Sequence, residues 1–339
     1  MAAPGCKVRL QPSGSELTCR ADQTLLDACI QIGLPVPYNC RSGECGECIA
    51  KLVHGEVQEL PGADPAIFTD AHRAQGHILT CMCFPRSDIV LDLPLLESET
   101  SSIRPATFNT LVQNVERLTP TIFGVTVETP WPVEFHAGQC FEWVVPGVAP
   151  NRTYSAANRP GTDTITFHVR VYPGGKIGDF VQSLSPGGML ELLGPFGHFG
   201  FSGNDWRPAV CVAGGTGLAP MMSLLDRAFA ARDKRPIHLL YGARTRDELY
   251  CLDVLQGWAK QHANFTFTPV LSDESEQSGW SGSRGLVADV MADHLGDVFG
   301  LEAYICGPPP MIDAAVTRLQ DAGVLDADIR TDRFVQAKT

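Results

Sequence analysis

Four cysteines at fixed intervals restrict this chain more than any other feature. Cys40 is followed by Cys45 after four residues and by Cys48 after two more. A further pair lies downstream, in Leu79-Thr80-Cys81-Met82-Cys83-Phe84-Pro85. Three thiols so close together, with Gly43 and Gly46 between them, have the ligand spacing of a [2Fe–2S] cluster. Such a loop must bend tightly and bring backbone N–H groups up to the cluster sulfurs, and glycine permits both. Thiolates around two irons pass single electrons and do little else. The plainer readings fit less well. A structural zinc site spaces its four ligands differently, and a disulfide knot needs an oxidising compartment. With no Cys-x-His pair in the chain, a Rieske centre has no ligands.

The totals bound the rest. A length of 339 residues suggests two or three domains, and 44% hydrophobic residues suffice for separate cores. The net charge is −12, and residues 1–99, with 7 basic and 13 acidic groups, carry about half of it. That balance argues against nucleic acid or an anionic membrane as partner, and favours a protein with a basic docking patch. Met1-Ala2-Ala3-Pro4-Gly5-Cys6-Lys7 has no charged region followed by an apolar stretch, so a cytoplasmic, reduced protein is expected. Cys6, Cys19, Cys29, Cys140, Cys211 and Cys251 are then small apolar residues or free thiols. The longest charge-free run, from Pro208 to Leu225, is interrupted by glycines and a proline, so no membrane span is expected. Monomer is the default state.

Three blocks follow one another. Up to about residue 96, Val8-x-Leu10 and Ser15-x-Leu17 alternate like strands around a Pro12/Gly14 turn. Leu25, Leu26, Ala28, Cys29 and Ile32 carry a helical period that Gly33 and Pro35 end. Strands are expected at Ile49–Val53 and Ile89–Leu93, so mixed strands and one helix surround the cysteine loop, as in a β-grasp fold. Glu97-Ser98-Glu99-Thr100-Ser101-Ser102 reads as a linker. The next block alternates strongly, in Phe123-x-Val125-x-Val127, Phe141-x-Trp143-x-Val145 and Ile165-x-Phe167-x-Val169-x-Val171, and predicts an antiparallel β-barrel. From about residue 207, short apolar runs alternate with helix-length stretches, at Ala209–Ala213, Ile237–Tyr241, Phe265–Val270 and Ala303–Cys306. That pattern predicts a doubly wound parallel sheet.

Each of the later blocks carries a candidate site. Arg152-Thr153-Tyr154-Ser155 offers a cation for a pyrophosphate, an aromatic face for a ring and a hydroxyl for a ring nitrogen. About twenty residues on, Gly174-Gly175-Lys176-Ile177-Gly178 opens a helix, whose free N–H groups and positive dipole end suit a pyrophosphate. Gly214-Gly215-Thr216-Gly217-Leu218-Ala219-Pro220 follows an apolar strand directly, where glycines let the backbone approach a dinucleotide phosphate. Cys306-Gly307-Pro308-Pro309-Pro310-Met311 follows another strand, a thiol before a rigid bend, suited to holding a polarisable group against a flat ring.

Together these pieces resemble the ferredoxin–NADP reductase superfamily. With the cysteine block first, the chain is similar to the iron–sulfur flavoprotein reductases of bacterial multicomponent oxygenases, including those of benzoate and terephthalate dioxygenases and of phenol and methane monooxygenases. The resemblance covers nearly the whole chain. It implies a plant-type ferredoxin domain at 1–96, a linker at 97–106, an FAD-binding β-barrel at 107–204 and an NAD(P)-binding domain at 205–339. Leu79-Thr80-Cys81 resembles the plant-type Leu-Thr-Cys segment, which makes Cys81 rather than Cys83 the fourth ligand beside Cys40, Cys45 and Cys48.

Carried over by position, Arg152 binds the FAD phosphate, Tyr154 packs on the flavin and Ser155 hydrogen-bonds near its N5, with Thr153 between them. His168 and Arg170 line the same site from the next strand. Gly174, Gly175, Lys176 and Ile177 begin the pyrophosphate helix. Gly214 to Gly217 cradle the coenzyme, Gly215 and Gly217 by backbone and Thr216 near the nicotinamide. Cys306, Gly307 and Pro308 wall the hydride-transfer site, Ser155 and Cys306 being its two catalytic candidates, and Phe334 is the aromatic near the flavin. Gly178 stands where the family's pattern often has Ser, which removes one phosphate contact.

The activity implied is electron splitting. NAD(P)H gives a hydride to FAD, and single electrons then pass through the [2Fe–2S] cluster to a terminal oxygenase component, most often one acting on an aromatic compound. No general acid or nucleophile is required, so His136 and His198 are expected to be structural or solvent-facing. The chain shows no mononuclear iron triad of its own. A second reading keeps the chemistry and changes the acceptor to a non-oxygenase such as a deoxysugar dehydratase. A third makes the first block a redox sensor or docking module on a diaphorase. Coenzyme choice stays open between NADH and NADPH. Arg244 and Arg246 suit a 2′-phosphate, while Asp247 and Glu248 suit a ribose hydroxyl, and the resemblance leans to NADH.

Overall fold

A computed structural model describes residues 5–96, 103–203 and 206–335, so most of the expected linker, 97–102, lies outside the described residues. The chain forms two compact units. The first comprises residues 1–106 with 194–198, and the second residues 107–193 with 199–339.

In the first unit, β1 (Cys6–Gln11) and β2 (Glu16–Cys19) form an antiparallel hairpin whose turn uses Gly14 at φ +73°. Helix α1 (Leu25–Gln31) starts at Thr24, whose hydroxyl accepts from the Asp27 N–H at 3.1 Å, and stops before Gly33 at φ +78°. Its apolar face, Leu25, Leu26, Ala28, Cys29 and Ile30, is buried. There follow β3 (Ile49–His54), β4 (Val57–Glu59), α2 (Asp70–Ala74), β5 (His77–Leu79), β6 (Cys83–Pro85) and β7 (Ile89–Asp92). The main sheet runs β2-β1-β7-β3-β5, with β1 and β7 parallel and the other pairs antiparallel. The long segment between α1 and β3 has no regular element and holds three of the four cysteines.

The second unit opens with β8 (Ala106–Arg117), β9 (Ile122–Glu128), β10 (Cys140–Val144), β11 (Arg152–Ser155), β12 (Thr164–Arg170), α3 (Lys176–Ser183) and β13 (Met189–Phe196). The sheet order is β11-β10-β13-β8-β9-β12, and a bridge between Ala156 and Phe167 joins its two ends into a barrel. Alternation in the sequence fills the interior with Phe141, Trp143, Val125, Val127, Ile165, Phe167 and Val169. Trp143 meets Phe167 edge-on at 5.3 Å between ring centroids.

The same unit continues through β14 (Ala209–Gly214), α4 (Leu218–Ala230), β15 (Ile237–Ala243), α5 (Leu252–Gln261), β16 (Phe265–Leu271), β17 (Ser283–Arg284), α6 (Val287–His294), β18 (Glu302–Gly307), α7 (Pro309–Asp321) and β19 (Ile329–Arg333). These strands are all parallel, in the order β17-β16-β15-β14-β18-β19. Ile122, Ala137 and Phe199 from the barrel block share one buried core with Ala213, Leu218, Tyr241 and Cys306, which is why the second and third sequence blocks pack as one unit. The strand order reverses between β14 and β18, and the crevice beyond their carboxyl ends is where such sheets take ligands. Among the described residues, no helix is long and apolar enough to cross a membrane.

The opposite end of this sheet is held by a buried charge. Glu302, 0% exposed, accepts from Arg207 at 3.1 Å, from Ser202 Oγ at 2.6 Å and from Tyr304 Oη at 2.9 Å, and lies 3.4 Å from Arg235. Removing one member of such a network leaves uncompensated charge in a dry interior, which costs about 3–5 kcal/mol. Glu302→Ala is therefore expected to lose that much from the denaturant-unfolding transition of the intact protein. An unfolding midpoint matching wild type would refute the assignment.

Candidate cofactor and coenzyme site

The cysteine loop is shaped by backbone. Arg41 (φ +58°), Gly43 (φ +81°) and Gly46 (φ +79°) all bend the left-handed way, and a Cβ at Gly43 would come within 3.1 Å of Met82 Sδ. The N–H groups of Ser42 and Glu44 point at Cys40 Sγ, each at 3.4 Å. Downstream, Thr80 clamps Cys48 by two hydrogen bonds to its carbonyl, from N–H and from Oγ1, both at 3.1 Å. This brings Cys81, in the short turn after β5, to within 3.2 Å of Cys48 sulfur to sulfur.

The four thiols thus form two pairs, Cys40 with Cys45 and Cys48 with Cys81, each joined by a thiol–thiol hydrogen bond. In each pair the neighbour's hydrogen bond favours one thiolate, lowering Cys40 and Cys48, with the Ser42 N–H helping at Cys40. Among the described residues, no three His, Cys, Asp or Glu side chains converge on one point as a single metal ion requires. Two thiol pairs fit two irons better than one zinc. Cys83 lies buried within β6, and burial pushes its thiol up to about 12.

His198, expected to be structural or solvent-facing, belongs to the segment that packs within this unit. The Tyr38 N–H donates to its Nδ1 at 3.1 Å, its own N–H donates to Asn39 Oδ1 at 3.1 Å, and its Nε2 lies 3.7 Å from Glu47. It fixes the residues that lead into Cys40, over a separation of 160 residues that no local pattern reveals.

In the barrel, β10 and β11 pair so that Arg152 faces Trp143, Tyr154 faces Phe141 and Ser155 faces Cys140. Directly opposed residues share a face, so Arg152 and Tyr154 lie on one side of the sheet and Thr153 and Ser155 on the other. The Tyr154 ring sits 4.7 Å from Trp143, and burial pushes its phenol well up, which keeps it neutral. Trp143 Nε1 is buried with no hydrogen-bond partner among the described residues, an orphan donor beside the predicted flavin residues. The Arg152 guanidinium rests on the Pro150 carbonyl.

Gly174 turns at φ +72° into open space, and Gly175 caps α3 without any side-chain bond to its first turn. Those N–H groups suit an anion. Lys176 Nζ is held by the Gly147 carbonyl at 2.9 Å, and Ile177 packs on the barrel core. A Cβ at Gly178 would meet the Tyr172 carbonyl at 3.3 Å, so glycine there reflects close packing against the segment just after β12.

The sheet end is built on steric exclusion. A Cβ at Gly217 would fall 2.1 Å from the Cys306 carbonyl oxygen, and one at Gly307 (φ +148°) would fall 3.0 Å from the Gly214 carbonyl oxygen. Only glycines let the β14–α4 turn and the β18–α7 turn touch. Thr216 is the middle residue of the Gly215–Gly217 turn, and Pro308 caps α7. Cys306 is fully buried; burial, then the Asp332 carboxylate at 3.8 Å, pushes its thiol well up, so it acts as a neutral thiol. The Cys140 thiol, opposite Ser155 on β10, adds to that upward shift. Barrel and sheet share one core here, with Ala137 and Cys306 buried in the same cluster. The Phe334 N–H donates to the Gly307 carbonyl at 2.9 Å.

Tyr250, which the sequence reading passed over, joins the two halves. Its hydroxyl lies 3.2 Å from His168 Nδ1 on β12 and donates to the Gly215 carbonyl at 3.3 Å. Burial alone lowers His168 to about 4, so the imidazole is neutral. Arg170 on the same strand lies 2.9 Å from where a Cβ at Gly215 would be, and 3.9 Å from Glu248. Arg244 donates to Glu248 at 2.8 and 2.5 Å, and the Arg246 N–H donates to Glu274 at 2.7 Å.

Known proteins repeat this organisation. Residues 8–86 match the 2Fe-2S iron-sulfur cluster binding domain, 113–201 the oxidoreductase FAD-binding domain and 211–317 the oxidoreductase NAD-binding domain. The reductase component of phenol 2-monooxygenase from Pseudomonas sp. (strain CF600) is 33% identical over 334 residues, covering 97% of this chain and 94% of that protein. The reductase component of propane 2-monooxygenase from Gordonia sp. (strain TY-5) is 32% identical over 338 residues, covering 97% and 96%. Among solved structures, the Amycolatopsis cytochrome P450 reductase GcoB superposes with a TM-score of 0.86 at 30% identity, covering 97% of this chain and 98% of that one.

Two outcomes follow from these geometries. Cys81→Ser is expected to abolish the rhombic EPR signal and the bound sulfide, whereas Cys83→Ser keeps both; the reverse pattern would reassign the ligand. His168, lowered from 6.5 to about 4 in the folded protein, takes up protons more readily when unfolded. Stability is therefore lost progressively as pH falls from 6.5 to about 4. Thermal midpoints measured from pH 7 down to 4.5 should fall more steeply in wild type than in His168→Gln, and parallel slopes would count against a neutral buried imidazole.

Proposed function

The chain belongs to the reductase components of multicomponent oxygenases, and we propose that it passes electrons from NAD(P)H to an oxygenase acting on an aromatic compound. The observation that carries the reading is the Tyr250 hydroxyl, which lies 3.2 Å from His168 Nδ1 on the barrel and donates to the Gly215 carbonyl of the sheet turn at 3.3 Å, inside one compact unit. FAD, when bound, takes a hydride and releases electrons one at a time, and a [2Fe–2S] cluster carries single electrons.

The chain's own residues supply binding, orientation and exclusion of water. Arg152 and the open first turn of α3, behind Gly174 and Gly175, hold the FAD phosphates. Tyr154 offers an aromatic face and Ser155 a hydroxyl to the flavin ring. The backbone of Gly214 to Gly217 holds the coenzyme phosphates, with a Cβ at Gly217 excluded by the Cys306 carbonyl and one at Gly215 by Arg170. Cys306 and Tyr250 remain neutral, because burial penalises their charged forms. Cys40, Cys45, Cys48 and Cys81 hold the cluster as two pairs.

The domains in this reading are the ferredoxin domain at 1–96, the linker at 97–106, the FAD-binding barrel at 107–204 and the NAD(P)-binding domain at 205–339. In this reading the chain is a cytoplasmic monomer, and its net charge of −12 supports docking on a basic protein face rather than on nucleic acid or an anionic membrane. The phenol relative supports the aromatic partner. The propane relative and the P450 reductase define the other arms of a partner assay.

Anaerobic titration with NADH and NADPH, followed by visible absorbance and EPR, tests the internal route. Bleaching of flavin and iron–sulfur bands together, with one rhombic signal, is the expected result. Flavin bleaching without that signal would overturn it.

A further inference from the structure

Strand β15 lies beside β14, and its carboxyl end, Gly242 and Ala243, runs straight into Arg244. In doubly wound sheets this corner meets the ribose that carries the 2′-hydroxyl of NADH or the 2′-phosphate of NADPH. A dianionic 2′-phosphate is recognised by a guanidinium with hydrogen bonds to give. Here the guanidinium that directly follows the strand is already engaged. Arg244 gives both Nε and Nη2 to one oxygen of Glu248, at 2.8 and 2.5 Å. The carboxylate's second oxygen lies 3.9 Å from Arg170, which borders Gly215.

The Glu248 side chain is only 15% exposed while that of Arg244 is 69% exposed, so the carboxylate is the fixed partner. The Arg246 N–H is in turn held by Glu274, whose carboxyl that bond keeps below its ordinary range. Two carboxylates thus border this corner. A 2′-phosphate there would meet a neutralised arginine and a fixed negative charge.

We propose that Glu248 is a specificity-determining residue that disfavours a 2′-phosphorylated coenzyme by holding Arg244. The inference rests on the reading that the Gly214–Gly217 turn takes the dinucleotide. A neutral ribose hydroxyl pair meets no such penalty, because it carries no charge to repel and needs no free cation.

The test is equilibrium binding of NAD⁺ and NADP⁺ to the FAD- and cluster-loaded protein by calorimetry, with stopped-flow flavin reduction by NADH and NADPH beside it. Glu248→Gln is expected to shift the ratio of the two dissociation constants about tenfold toward NADP⁺, as release of the Arg244 guanidinium for one charge-assisted contact to the 2′-phosphate predicts. Arg244→Gln alone should move that ratio less than about twofold, because its guanidinium is already occupied. In the double variant the tenfold gain should disappear. A large loss of NADP⁺ binding in Arg244→Gln would show that Arg244 binds phosphate in the wild-type protein and would overturn the proposal. So would an unchanged ratio in Glu248→Gln, or a gain that survives removal of Arg244. If wild type binds neither nucleotide and neither reduces the flavin, the dinucleotide reading fails first, and the specificity proposal with it.

Discussion

The carbonyl oxygen of Cys306 occupies the place where a side chain at residue 217 would begin. That 2.1 Å exclusion, with its counterpart between Gly307 and the Gly214 carbonyl, determines how near two turns of the parallel sheet can come. It does so at the point where strand order reverses, the one place on such a sheet where a crevice opens between neighbouring strands. Everything that acts on a coenzyme here depends on the closeness. Three of the four residues in the Gly214–Gly217 turn lack a side chain, which lets a phosphate approach its backbone. Cys306 is buried because the turn lies against it, and burial keeps its thiol neutral.

The cysteine loop solves a different problem with the same residue. Gly43 and Gly46 give the left-handed bends that aim N–H groups at sulfur, and Arg41 accepts a bend of the same sign at some cost. Packing then imposes the second half of the geometry. Thr80 bonds to the Cys48 carbonyl twice, so the fourth thiol reaches its partner through a clamp between β3 and β5, not through the loop. Pairing two by two follows from that split origin. One pair is made within a single loop, and the other joins residues 33 positions apart.

These differences explain what could be read from the sequence. The three core architectures were legible because their cause is local: period-two alternation fills the barrel, apolar runs fill the parallel sheet, and a helical period ended by Gly33 marks α1. The glycine turns were legible because they sit directly after strands. Contacts between distant segments were not. Tyr250 meets His168 across 82 residues, and His198 meets Tyr38 across 160. Neither tyrosine nor histidine stands in a distinctive pattern there. Glu248 is intermediate. Its i,i+4 spacing from Arg244 was present in the sequence, but their turn is not an α-helix, so the usual rule for helical pairs gave no warrant for joining them.

The two ends of the parallel sheet use carboxylates for opposite purposes, and burial decides which. At the amino end of β18, Glu302 is wholly buried and surrounded by Arg207, Arg235, Ser202 and Tyr304, so its charge is spent inside the structure. Desolvation makes such a network costly to break and indifferent to solutes. At the carboxyl end of β15, Glu248 is partly covered and Arg244 largely exposed. A charge in that position is close enough to water to be felt by an arriving nucleotide, yet fixed enough to have a constant sign and direction. Stability and selectivity thus separate along the strand axis. The dry end tolerates no change of charge, while the wet end can change its coenzyme preference by a single carboxylate without disturbing the core beneath it.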